Sequence, residues 1–220
     1  MGMIPLSDAS RRPDRFPIVT TSIIVANALV FVMELIGGDE FVGQWSVIPV
    51  DIVAGRHWIT LITAMFMHAG WMHIVGNMVF LRAFGPEIED AMGPLRYLAF
   101  YLLSGLVASM AQIAAFPAST LPSLGASGAI AGVMGAFLVT YPGDQIRALL
   151  LFGIFTRITM IPAALLIGLW FLIQLFNQIG AVAAVQSGGV AYTAHVSGFV
   201  FGVVTGRIFE AFGRAAERRN

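Results

Sequence analysis

The stretch LGASGAIAGVMGAFLVTYP, residues 124–142, is apolar enough for a lipid bilayer, yet a serine boxed by glycines stands near its start. A hydroxyl on a membrane helix ordinarily bonds back to its own backbone and does nothing chemical. Whether Ser127 differs depends on what the rest of the chain places at the same depth. From Ser127 to Tyr141 there are 15 residues, roughly 22 Å of helix at 1.5 Å per residue. A hydrocarbon core is about 30 Å thick. The serine is therefore expected below the outer surface, with the preceding loop dipping inward. Non-helical backbone at that depth is tolerated only against protein or a water-filled cavity, so the spacing predicts a wet pocket within the membrane.

Composition agrees with a membrane setting. Of 220 residues, 58% are hydrophobic and 11% charged, and the mean hydropathy is +0.84, whereas soluble domains run near 25% charged. The absence of cysteine excludes disulfides, thiol catalysis and thiolate metal sites. A formal net charge of zero gives no field that would favour nucleic acid as a partner. Apolar runs fall at 18–36, 59–84, 95–116, 127–141, 161–179 and 193–212, separated by Gly- and Pro-bearing joints such as IGGDE, FGPEIEDAMGP and YPGD. The segment 147–159 is apolar but interrupted, and is expected to be interfacial or to extend the fifth run. The N-terminal MGMIPLSDASRRPDRFP lacks a cleavage-site pattern after its first apolar run, which reads as a retained span. Leu6 stands where a myristoylation signal needs Ser or Thr.

All twelve basic residues are arginines. With six spans and both termini cytoplasmic, eleven of the twelve fall on or beside the cytoplasmic side and only Arg56 lies opposite, a positive-inside pattern. The expected organisation is an all-α, six-transmembrane-helix bundle at 18–212 with cytoplasmic tails at 1–17 and 213–220.

In that topology the second, fourth and sixth spans share a direction, and Ser127, His195, His73 and Asn77 all lie in the outer leaflet. Ionisable residues inside spans are functional hypotheses by default. His195 precedes a ladder of Gly198, Gly202 and Gly206, and Ser127 precedes Gly128, Gly132 and Ala136 at the same four-residue period. Small residues at that period let helices approach closely. Packing the ladders would bring hydroxyl and imidazole into hydrogen-bond reach, the arrangement that activates a serine nucleophile. His73 and Asn77, at i and i+4, share a helix face and are donors suited to an oxyanion, with the Ser127 N–H as a third. The simpler alternatives are a glycine-rich helix contact with incidental Ser and His, and an Asn/His bond between helices.

These residues resemble the rhomboid intramembrane serine proteases. The motifs are G-x-S-G at 125–128, H-x-x-x-N at 73–77 and A-H-x-x-G-x-x-x-G at 194–202, with FGPEIEDAMG similar to the turn after the family's second span. The resemblance covers 58–206 and implies a six-helix bundle opening to the outer side. It further implies Ser127 as nucleophile, His195 as general base and then acid, and His73, Asn77 and the Ser127 N–H as oxyanion donors. The family uses a dyad, and no acidic residue of this chain lies near the outer starts of the fourth and sixth spans. Two positions depart from the pattern. Ala131 stands where an aromatic often lies under the imidazole, and Trp58-Ile59 replaces a Trp-Arg pair. Glu89 resembles a structural glutamate of the family, and His68 has loop support as its default role.

Other chemistries fit less well. His68 and His73 are about 140° apart on a helix and no H-E-x-x-H occurs, which argues against a zinc protease. GASGA lacks the final glycine of a nucleophile elbow and no strand precedes it. The readings that remain are a serine endopeptidase and a catalytically inactive rhomboid-like binder or chaperone. The endopeptidase would cleave single-span membrane proteins near their outer end; neither cofactor nor metal is expected. The bilayer is the other partner, and a bacterial plasma membrane fits the bare form. By family analogy Trp170, Phe171 and Phe176 line a lateral gate.

Overall fold

Proline and glycine set the ends of the long helices. The computed structural model describes residues 2–152, 155–184 and 192–217. Helix α1 (Ile18–Trp45) follows Pro17 and is kinked at Gly38, whose φ of 59° only glycine adopts readily. That break falls in the IGGDE joint. After two short helices, α2 (Pro49–Val53) and α3 (Thr60–Thr63), a 3-10 turn over Ala64–Phe66 leads into α4 (Trp71–Met92). Gly93, at φ 79°, separates α4 from α5 (Pro94–Ala115), which begins on proline. Helix α6 is Ser127–Thr140, α7 is Ala163–Ala184 and α8 is Tyr192–Glu217. The QSGGV joint and residues 218–220 of the expected C-terminal tail lie outside the described residues.

Among the described residues two helices, α1 and α5, are long and apolar enough to cross a membrane, and the bent pair 60–66 with 71–92 makes up to a third. The expected second span is thus broken rather than continuous, with a 90° bend. The cause lies in another helix. The buried Glu34 carboxylate of α1 accepts the His68 N–H at 3.0 Å from both oxygens. A backbone donor that a helix would have satisfied internally is paired there instead.

Helix α6 is the central element, with residues 128–137 all buried. It packs against α8 through the two ladders, backbone to backbone. A Cβ on Gly202 would collide with the Gly132 carbonyl oxygen, and one on Gly198 with that of Gly128. The N-termini of α4, α6 and α8 meet at one end of the bundle. Large apolar side chains remain exposed around it, among them Ile36, Met72, Leu95, Phe176 and Val204, an outward surface suited to lipid.

The other end departs from the all-α expectation. Although the chain is mostly helical, β1 (Gly2–Asp8), β2 (Gln145–Phe152) and β3 (Phe155–Pro162) form an antiparallel sheet in the order β1-β2-β3. Residues 147–152 and 155–159 are therefore paired strands rather than an extension of α7, and the N-terminal tail contains a strand paired to the first of them, Gly2 opposite Leu151. Ile146 and Ala148 are fully buried while Arg147 is exposed, the alternation a one-sided strand requires. Arg11 fixes the strap that follows β1: its guanidinium pairs with Asp144, Nη2 donating to Oδ1 at 2.9 Å, and lies over the Tyr141 ring at 3.7 Å. Glu89 occupies a neighbouring role. Buried in α4, it accepts the N–H groups of Val19 and Thr20 at 2.8 Å each and so caps α1.

Candidate active site

The site forms where three helices begin. Ser127 is the first residue of α6, so its own N–H and those of the next residues have no intrahelical acceptor and point outward at the positive end of the helix dipole. The loop before it is anchored twice. Ser123 and Val47 exchange backbone hydrogen bonds at 2.8 and 3.0 Å, and the Gly125 N–H donates to the Ala64 carbonyl at 2.8 Å.

The Ser127 hydroxyl lies 2.7 Å from His195 Nε2. His195 is 9% exposed and sits in the first turn of α8, so the close ladder contact below it sets the separation of the two side chains. A serine hydroxyl bonded to a neutral imidazole is the pair from which an alkoxide-like nucleophile can be generated. The pairing expected from the ladders is present.

His73 and Asn77 occupy the first two turns of α4. His73 Nδ1 accepts the Ala69 N–H at 3.2 Å, which leaves the hydrogen of the neutral ring on Nε2 and makes that atom a donor. The ring borders the space beside Gly125. A Cβ built there would stand 2.9 Å from His73 Cε1, 3.0 Å from Nε2 and 3.6 Å from Ser127 Oγ. Gly125, with φ +133°, thus lets the backbone before Ser127 pass directly against the His73 ring, where a side chain would not fit. Asn77, one turn deeper, is buried, and its Nδ2 has no partner among the described residues. A carboxamide donor left unpaired in an interior is costly unless something accepts from it. Ser127, His195 and His73 are brought together, and Asn77 is stacked behind His73 on the same face.

His68 is held through its backbone by Glu34, and its buried ring meets that of His73 edge-on at 5.0 Å. The position where an aromatic was missing, Ala131, is fully buried, and the imidazole is supported from elsewhere. Trp170 of α7 approaches it at 6.0 Å between centroids and Tyr192 at 6.4 Å, edge-on. The remaining ring nitrogen, Nδ1, lies 2.8 Å from Gln174 Oε1. Sequence reading missed Gln174. Its one signal was a polar side chain four residues after Trp170, at the end of the apolar run 163–173.

A profile of the Rhomboid domain matches residues 55–212, well over half of the chain. The chain is 31% identical over 167 residues to Rhomboid protease GluP of Bacillus subtilis, covering 74% of this chain and 32% of that protein. It is 30% identical over 188 residues to the mitochondrial Rhomboid protein 1 of Saccharomyces cerevisiae, covering 82% and 50%. It is also 25% identical over 209 residues to the mitochondrial presenilin-associated rhomboid-like protein of Mus musculus, covering 90% and 48%. The chain thus spans about a third to a half of the length of these relatives. They come from bacteria and from mitochondria alike, so they do not support a bacterial plasma membrane over another. The chain belongs to the rhomboid family of membrane proteins.

Proposed function

We propose that this rhomboid-family chain is an intramembrane serine endopeptidase that cleaves transmembrane segments of single-span proteins near their outer end. The observation that carries the reading is the 2.7 Å contact between Ser127 Oγ and His195 Nε2 at the N-terminus of α6. Ser127 attacks the scissile carbonyl carbon as Nε2 takes its proton. The oxyanion that forms is met by the Ser127 N–H, His73 Nε2–H and Asn77 Nδ2. The imidazolium then returns the proton to the leaving amine, and water repeats the sequence on the acyl-enzyme.

The same proposal orients the molecule. Six spans within 18–212 place both termini in the cytoplasm, with the site toward the outer side. Arginine placement supports this direction. Arg11, Arg12, Arg15 and Arg82 surround a cavity of about 400 Å³ beside the sheet, at the end of the bundle away from Ser127, as the positive-inside rule requires.

The test is cleavage of a fluorescent transmembrane reporter by the purified protein in detergent. Wild type should cleave it and Ser127→Ala should not. Binding of the reporter without cleavage by wild type would instead favour an inactive membrane-protein binder.

A further inference from the structure

The imidazole of His195 has two nitrogens, and the proposed reaction uses one. Nε2 faces Ser127 Oγ at 2.7 Å and Nδ1 faces Gln174 Oε1 at 2.8 Å. An amide oxygen can only accept, so Nδ1 carries the hydrogen in this contact. A neutral ring protonated at Nδ1 presents a lone pair at Nε2, the form that can receive the serine proton. Were the amide turned the other way, its NH2 would face Nδ1, place the ring hydrogen on Nε2 and leave nothing there to accept. The orientation of Gln174 thus selects the tautomer at the opposite edge of the ring.

Gln174 is well placed to hold that setting. It lies four residues after Trp170, on the same face of α7, and Trp170 stands beside the imidazole at 6.0 Å. Phe171 stacks on Phe199 of α8 at 4.4 Å and 22°, which ties the two helices together one turn from the contact. Ala131 offers no ring beneath the imidazole, so its orientation depends on α7.

We propose that Gln174 is a positioning residue for the reaction above: it holds His195 in the Nδ1–H tautomer and aligned with Ser127, the part a carboxylate plays in a serine-protease triad. No proton passes to it. During attack the Ser127 hydrogen moves to Nε2, the Nδ1 hydrogen remains in place, and the imidazolium is steadied by the amide dipole rather than by a counter-charge. The inference rests on the endopeptidase reading and extends it to α7.

The experiment compares full-length wild type, Gln174→Met, which keeps the side-chain length without the acceptor, and Gln174→Glu, which restores an acceptor with charge. Reporter cleavage is measured across pH, together with 15N shifts of the His195 ring in labelled protein. Gln174→Met should lower kcat by about 10- to 100-fold with KM within about twofold, and the ring should lose its Nδ1–H signature. Gln174→Glu should recover much of kcat and move the acid limb of the pH profile upward, because a carboxylate favours the imidazolium. A purely structural role would leave the ring tautomer of Gln174→Met unchanged and would not let Gln174→Glu recover kcat. Wild-type kcat and an unchanged ring spectrum in Gln174→Met would overturn the proposal while leaving the endopeptidase reading intact. Cleavage that persists in Ser127→Ala would overturn both.

Discussion

Gly198 of α8 faces the carbonyl of Gly128 in α6 with no room for a methyl group between them, one turn below the Ser127–His195 pair. The obstacle is backbone and cannot rotate away. Gly198→Ala or Gly202→Ala must push the helices apart, at a cost typical of overpacking, about 1–3 kcal/mol. The displacement should also open the hydroxyl–imidazole contact. We expect a lower melting temperature in detergent and a loss of reporter cleavage larger than the fraction unfolded explains. Gly168→Ala in α7, where nothing lies within 4 Å of the added Cβ, is the control and should be neutral or slightly stabilising.

Gly125 answers a different constraint. Its φ of +133° disfavours any side chain, and the space it leaves borders both His73 and Ser127. Gly125→Ala should therefore reduce kcat by at least about tenfold through displacement of oxyanion donors, while the helices keep their helical circular-dichroism signal. Full activity in this variant would mean that the close approach of Gly125 to His73 does not position the oxyanion donors.

Glu89 offers a stability test remote from the chemistry. Its two oxygens hold the first N–H groups of α1. Glu89→Ala removes both acceptors and should cost on the order of 1–2 kcal/mol, the scale of a lost N-cap. Glu89→Gln keeps one acceptor and should cost less. Thermal denaturation monitored by circular dichroism ranks the three proteins.

Asp8 and Asp144 make the docking of β1 depend on pH. Burial raises the Asp8 carboxyl to about 6, whereas the Arg11 guanidinium holds Asp144 below the usual carboxylate range. A carboxyl raised in the folded state contributes stability that is complete below its ordinary pKa of about 4 and is lost as pH rises through its folded value. The Asp8 contribution is therefore partly present at pH 5.5 and gone at 7.5. Asp144, shifted the other way, contributes at both. After correction for intrinsic exchange, hydrogen–deuterium exchange in β1 should be slower at pH 5.5 than at 7.5. Asp8→Asn should abolish the difference.

What could be read from the sequence follows from how far each signal reaches along the chain. The ladders after Ser127 and His195 are local, period-four patterns, and they place two helices in contact whichever way the remainder folds. His73 and Asn77 are likewise adjacent on one helix. The sheet was not legible because β1 and β2 lie some 140 residues apart, and Ile4 or Leu149 reads equally well as part of an apolar helix. The break at His68 was hidden because Glu34, 34 residues earlier, supplies the acceptor that makes a break affordable. Gln174 escaped for a similar reason. An amide on an apolar helix carries no sign of its partner, and the missing aromatic at Ala131 pointed only to a need for support, not to its source.

The most direct test of the dyad combines covalent capture with catalysis. Wild-type protein, Ser127→Ala and His195→Ala are treated with a fluorophosphonate probe, the modified residue is located by mass spectrometry, and cleavage of the transmembrane reporter is followed in parallel. The probe should attach to Ser127 in wild type alone, and both variants should lose cleavage. Labelling at another residue, or reporter cleavage that survives in Ser127→Ala, would contradict the account.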